Sequence, residues 1–271
     1  MGRIGLVAAA ATLTAGLVMT GTSQAQDKTV LLHAAGSLRG ALTEVSTAFE
    51  KSSGLTVQGK YGPSGLLRDE IAGGAKAEVF ASANMTHPAA LEKSGRAGPV
   101  RMFTRNRLCA LVRPGLDVTT ATLLDKMLDP SVKLGTSTPK ADPSGDYAFE
   151  VFAKADAIKA GANDTLSKKA LQLTGGPNSP PPPKDRNVYG KVVADGQADI
   201  FLTYCTNAIV AKRENAGQEI VALPENLAVG ADYGLTVIKG APATADQLAA
   251  FILSSEGQAI LEKHGFSAPA R

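Results

Sequence analysis

The stretch Thr29-Val30-Leu31-Leu32-His33-Ala34-Ala35-Gly36-Ser37-Leu38-Arg39-Gly40-Ala41-Leu42 changes its hydrophobic period halfway along. Thr29 to His33 is a short apolar run of the kind that forms a buried strand. Beyond Ser37, the apolar residues Leu38, Ala41, Leu42, Val45, Ala48 and Phe49 fall at spacings of three and four, the signature of one helix face. Glycine and serine stand at the change of period, so a strand is expected to run through a tight turn into a helix capped by Ser37. That strand-turn-helix step is the building unit of an α/β protein.

The same step recurs along the chain. Leu55 to Gly59 reads as extended, Gly62-Pro63-Ser64-Gly65 is turn chemistry, and Leu66, Leu67 and Ile71 mark a short helix. Further strands are expected at Glu78 to Ser82, Arg107 to Val112, Val132 to Gly135, Ile200 to Tyr204, Glu219 to Leu223 and Tyr233 to Ile238. Helices are expected at Pro88 to Lys93, Ala121 to Leu128, Asp146 to Ala157, Val188 to Ala194, Thr244 to Leu253 and Glu256 to His264. Pro177 to Pro183 can be neither helix nor interior strand and reads as a stiff, extended surface tether with no ligand role. No internal repeat stands out.

The N-terminus carries an export pattern. Arg3 precedes an apolar, small-residue run from Ile4 to Met19, and Ser23-Gln24-Ala25 supplies the small residues a signal peptidase needs, so residues 1–25 read as a cleaved leader and the mature protein as periplasmic. The remaining length of about 245 residues can bury an ample core in one large domain or two small ones, and no later run is long enough to span a membrane. A formal net charge of +3, with no Lys or Arg cluster interleaved with aromatics, argues against nucleic acid as a partner. The two cysteines, Cys109 and Cys205, allow two readings: a disulfide in an oxidising compartment, or two buried thiols in apolar runs. A thiolate metal site is not expected, because CxxC spacing is absent and no His lies near either cysteine.

Ser37, Ser64 and Ser144 each stand in a glycine-flanked turn just ahead of an expected helix. A helix start offers unpaired backbone N–H groups and the positive end of the macrodipole, so several of them converging bind an anion without any cation. Serine hydroxyls add rotatable donors, and Gly36, Gly65 and Gly145 would let a ligand approach the backbone. The competing reading is that each serine only caps its own helix. All three fall at the ends of expected strands, where open α/β sheets bind ligands.

Here the chain resembles a known family. His33-Ala34-Ala35-Gly36-Ser37-Leu38, Tyr61-Gly62-Pro63-Ser64-Gly65-Leu66 and Ala77-Glu78-Val79-Phe80-Ala81-Ser82-Ala83 resemble the periplasmic molybdate-binding proteins of ABC importers. The likeness continues through Pro143-Ser144-Gly145, Asn187-Val188-Tyr189-Gly190, Asp199 to Tyr204 and Gly265-Phe266. It implies a type II Venus-flytrap fold, two α/β lobes with mixed sheets that close over a tetrahedral oxyanion, molybdate or tungstate. It also implies an ABC permease and its ATPase as partners, no cofactor, no catalysis, and a monomer. By motif, Ser37 and Ser64 would donate from the first lobe, Ser144 and Val188 would give backbone N–H groups, and Tyr204 its hydroxyl. Their ordinary alternative is core packing for Val188 and Tyr204. The expected first lobe is residues 26–107 plus 224–271, the second 108–223. Three departures surround the anion: Gly36 in place of the usual Ala, Pro63-Ser64-Gly65 in place of a Ser-rich turn, and Thr203-Tyr204-Cys205-Thr206 in place of Tyr-Gly.

Four rivals remain. A serine hydrolase lacks support, since no Gly-x-Ser-x-Gly surrounds the three serines and only His33, His87 and His264 could serve as bases, with His33 expected near the cleft mouth. A cation site from Asp142, Asp146 and Asp185 lacks ligand spacing, and these acids read as turn and cap residues. A structural surface protein would not need three donor turns at strand ends. The same fold with sulfate, phosphate or a small organic acid is the closest rival.

Overall fold

The computed structural model describes residues 1–2, 28–183 and 185–269; the leader expected at the N-terminus lies almost wholly outside them. In chain order the elements are β1 (Thr29–Ala35), α1 (Arg39–Ser53), β2 (Thr56–Gly62), α2 (Ser64–Ala72), β3 (Val79–Ser82), α3 (Thr86–Lys93) and β4 (Arg101–Val112). They continue with α4 (Leu123–Leu128), β5 (Leu134–Ser137), α5 (Pro143–Asp156), α6 (Ala162–Lys169), β6 (Leu171–Thr174), α7 (Val188–Ala194) and β7 (Ile200–Tyr204). The chain ends with α8 (Cys205–Glu214), β8 (Glu219–Ala222), β9 (Gly230–Val237), α9 (Ala243–Leu253) and α10 (Ser255–Lys263). Expected strands and helices recur at nearly every position. Sequence reading missed α6, β6, α8 and the first half of β4, Arg101 to Asn106, whose Arg101 and Arg105 disguise a strand.

Two mixed sheets share one long strand. In the first lobe the order is β2-β1-β3-β9-β4, with β1, β2 and β3 parallel and β9 antiparallel to its neighbours. In the second it is β6-β5-β7-β4-β8, with β5, β6 and β7 parallel and β4 antiparallel to β7 and β8. The two orders are the same pattern, each with one antiparallel strand threaded in from the other side of the chain. β4 pairs with β9 from Arg101 to Arg107 and with β7 and β8 from Leu108 or Cys109 to Val112, so it changes partners midway.

Strand alternation builds the core. Leu108, Ala110 and Val112 of β4 and Ile200, Leu202 and Tyr204 of β7 face one continuous cluster that also takes Val30, Leu32 and Ala34 of β1. The opposite face of β4 and β7, Cys109, Leu111 and Phe201, packs on Val192 and Val193 of α7 and Ala208 of α8. Each fully buried Leu or Phe stabilises the fold by about 1.5–3 kcal/mol. A disulfide joins Cys109 to Cys205 on this second face. No helix among the described residues is long and apolar enough to cross a membrane.

Candidate anion site

The parallel strands of both lobes end at one cavity of about 530 Å³, within the size range of small-ligand pockets. Its wall includes Ser37, Ser64, Val188 and Tyr204. Four of the five residues expected at the site are therefore brought together; Ser144 is not.

The first-lobe serines are not caps. Ser37 sits in a single 3-10 turn, Gly36–Leu38, between β1 and α1, and Ser64 is the first residue of α2; none of these helix starts has a side-chain cap. Each hydroxyl is instead supplied with a donor from the protein. The Ala83 N–H donates to Ser64 Oγ at 3.0 Å. The Asn106 side-chain amide donates to Tyr233 Oη at 3.3 Å, and Tyr233 Oη shares a hydrogen bond of 2.9 Å with Ser37 Oγ. Either hydroxyl of that pair can donate, because a Tyr233 oxygen that accepts from Asn106 keeps a second lone pair for Ser37. Ser64 Oγ thus accepts from within, leaving its own O–H to donate into the cavity, and Ser37 does the same when Tyr233 donates to it. Burial pushes the Tyr233 hydroxyl far above its ordinary pKa, so its proton stays in place.

The second lobe is arranged differently. Helix α5 begins at Pro143, and its cap is Asp142, whose Oδ1 accepts the Ser144 N–H at 3.0 Å. Ser144 is fully buried behind Asp142, its N–H already committed, and Asp142 takes its place in the cavity wall. Burial raises the Asp142 carboxyl to about 6, against the opposing effect of the Ser144 N–H. At α7 the cap is Asn187, whose side chain accepts the Gly190 N–H at 2.9 Å, and Val188 is the first helical residue. Tyr204, 1% exposed, reaches across to the first lobe, where its hydroxyl donates over a long 3.5 Å to the Ala83 carbonyl. Burial raises its pKa well above the usual value, which keeps it a donor.

A direct hydrogen bond also joins the lobes: the Gly65 N–H donates to the Ala141 carbonyl at 2.8 Å. A Cβ at position 65 would overlap the Lys140 and Ala141 carbonyl oxygens, so glycine is required for the lobes to approach, not for a ligand to approach the backbone. Gly145 likewise makes room for the Ser137–Pro139 backbone. Lys140, on the far side of this contact, holds a left-handed φ of 68°, unusual for a residue with a side chain.

Two other expectations need correction. His33 lies inside β1, paired with Lys60 and Phe80 on its two sides, and not at the cleft mouth. It is His264 that lines the cavity, bonded through Nε2 to Glu44 at 2.8 Å. The Pro-rich stretch is not a mere tether, because Pro180, Pro182 and Pro183 form part of the cavity wall. That it is neither helix nor strand was legible, although Pro177 and Asn178 form a turn closed by Ser179 N–H on the Gly176 carbonyl; its target was not. Sequence reasoning gave no site role to Asn106, Tyr233 or Ala83: the first two act through Ser37 and carry no local motif, while Ala83, at the end of the motif that begins at Ala77, lines the cavity and holds Ser64 by its N–H and Tyr204 by its carbonyl.

A family model described as "Bacterial extracellular solute-binding protein" matches residues 30–267. The molybdate-binding protein ModA of Mycobacterium tuberculosis is 28% identical over 295 aligned positions, covering 98% of this chain and 97% of the relative. Among solved structures, the periplasmic molybdate-binding protein of Azotobacter vinelandii superposes with a TM-score of 0.71 at 20% identity, over 89% of this chain and 100% of that one. The sulfate-binding protein SubI of Mycobacterium tuberculosis superposes with a TM-score of 0.72 at 19% identity, over 88% and 86%. The chain belongs to the bacterial extracellular solute-binding proteins, a family of binders and not of enzymes, and shares its two-lobed type II fold with the periplasmic molybdate-binding proteins.

Proposed function

We propose that the protein captures a tetrahedral oxyanion, molybdate or tungstate first, in the periplasm and delivers it to an ABC permease and its ATPase. The observation that carries this reading is the pair of first-lobe serines on one cavity: Ser64 accepts from the Ala83 N–H and keeps its O–H as a donor, and Ser37, bonded to the Tyr233 hydroxyl, is a donor to the anion when Tyr233 donates to it. Val188, at the start of α7, and Tyr204 complete the set from the second lobe. Uncapped helix starts behind the serines favour negative charge at that end of the cavity. The lobes divide at residues 107/108 and 223/224, a reading supported by the change of partners along β4. Residues 1–25 act as the export leader, and the mature protein is a monomer.

Calorimetric and thermal-shift titration with molybdate, tungstate, sulfate and phosphate tests the reading. A ligand that binds only the folded state raises the melting temperature. Ser37→Ala and Ser64→Ala should each cost about 1.5–3 kcal/mol of affinity, the range for a hydrogen bond to a charged group, while lowering stability by less than a lost cap would. Silence from all four anions sinks the reading. Sulfate as the preferred ligand is the second reading, supported by the equal superposition on a sulfate binder.

A further inference from the structure

Resting on the oxyanion reading above, we propose that Asp142 couples anion capture to a proton: for each dianion bound, the Asp142 carboxylate takes up one proton from solvent. The site as built holds an acid where a set of neutral donors would serve a dianion better. Asp142 is 8% exposed and forms part of the cavity wall together with Ser37, Ser64 and Tyr204. The hydrogen bond from the Gly65 N–H to the Ala141 carbonyl, 2.8 Å, brings the Asp142 turn against the start of α2, so Ser64 and Asp142 each stand one residue from the same contact between the lobes.

The carboxylate cannot swing away. Its Oδ1 is held by the Ser144 N–H at 3.0 Å. Its other oxygen and its Cβ lie against Gly175, where any Cβ would collide with them and where φ is 75°. No lysine or arginine is bonded to it among the described residues. Asp146 on its own helix adds like charge, and Tyr189 of α7 and Tyr204 of β7, both held neutral by burial, face it from the second lobe. The remaining charged groups of the cavity wall are Arg39, Asp185, Arg186, Glu214 and His264, two cations against two acids and a histidine already paired with Glu44. They offer Asp142 no dedicated counter-ion.

A dianion entering this cavity sets two negative charges beside a fixed third in a low dielectric, and the group that can relieve the repulsion is the carboxyl. Burial has already brought it to about 6 in the free protein, so neutralising it near pH 7 is easy. The bound anion raises it further. Between the free and the bound values, affinity falls tenfold for each unit of rising pH, because one proton enters with each anion. The neutral carboxyl then has an O–H of its own to offer.

The test is calorimetry with molybdate and with sulfate at pH 6, 7, 8 and 9, on the wild type and on Asp142→Asn. Both anions stay fully deprotonated across this range, so any slope belongs to the protein. The wild type should lose affinity about tenfold per unit above pH 7 and take up close to one proton per anion at pH 8, read from buffers of different ionisation enthalpy. Asp142→Asn, which keeps a preferred N-cap residue, should bind with a flat profile and exceed the wild type at pH 9. A flat wild-type profile with no proton uptake overturns the proposal, as does an Asn variant that keeps the slope. Should the variant not fold, the proton count of the wild type decides by itself. No binding of either anion at pH 6 sinks the oxyanion reading and this inference with it, an outcome distinct from tight binding without a slope.

Discussion

The two lobes share a strand order and differ in how they finish the helices that meet the cavity. In the first, the turn before α1 and the start of α2 have no side-chain caps, and serine hydroxyls stand beside open helix ends. In the second, Asp142 caps α5 and Asn187 caps α7, so N–H groups that could meet a ligand are bonded internally. The second lobe also carries the disulfide. A side-chain cap stabilises a helix by about 1 kcal/mol. The first lobe forgoes that stabilisation where the anion can replace it; in the second, α5 and α7 are finished before any ligand arrives, while α8, which follows Tyr204, starts at the cavity without a side-chain cap.

If that contrast holds, the largest single effect on stability lies in the second lobe. Cys109 is placed on the half of β4 that pairs with β7 and β8, and Cys205 opens α8, so the bridge closes a loop of 96 residues within that lobe. Replacing both cysteines with Ala should lower unfolding free energy by up to about 4.7 kcal/mol on the chain-entropy estimate. The Leu108–Tyr204 pairing remains to hold the ligand-facing tyrosine, so anion affinity should change little. Urea unfolding and calorimetry read the two separately. A large loss of affinity with little loss of stability would mean that the bridge serves the site and not the lobe.

Gly65→Ala comes next and strikes the seam. The added methyl meets carbonyl oxygens of the opposite lobe, and overpacking of this kind costs about 1–3 kcal/mol. Because the collision exists only with the lobes together, the cost should fall on anion affinity, with small-angle scattering reporting a more open particle and the melting temperature of the unliganded protein nearly unchanged. Equal loss of stability and affinity would place the strain inside α2 instead.

How much of this was legible follows from where each signal lives. Strand and helix periods are local, so β7 and α7 were read to the residue as Ile200–Tyr204 and Val188–Ala194. β4 was half-read because its first part is a crossing strand edged with arginines, where alternation is masked. The repeated strand order stayed hidden, since two sheets of like topology need share no sequence. At the site, Ser37 and Ser64 were found through glycine-flanked turns, whereas Asn106 and Tyr233 act through hydrogen bonds that each span more than 100 residues and that no local pattern encodes. Asp142 was read as a turn and cap acid, which it is; that its cap faces the cavity depends on the fold.

The smallest expected effect sharpens the contrast most, because it concerns a serine that looks like the other two. Ser144 shares the glycine-flanked setting of Ser37 and Ser64, yet its hydroxyl is fully buried without a hydrogen-bond partner among the described residues, and its N–H is held by Asp142. Ser144→Ala removes a buried hydroxyl that nothing satisfies and leaves the N–H to Asp142 intact. Losing such a group is close to neutral or stabilising, within about 1 kcal/mol. Anion affinity should stay within about twofold, against the roughly tenfold or larger losses expected at Ser37 and Ser64. A loss at Ser144 equal to theirs would mean that Asp142 gives up its hydrogen bond when the anion binds, making the second lobe's helix end a ligand site after all and erasing the difference between the lobes.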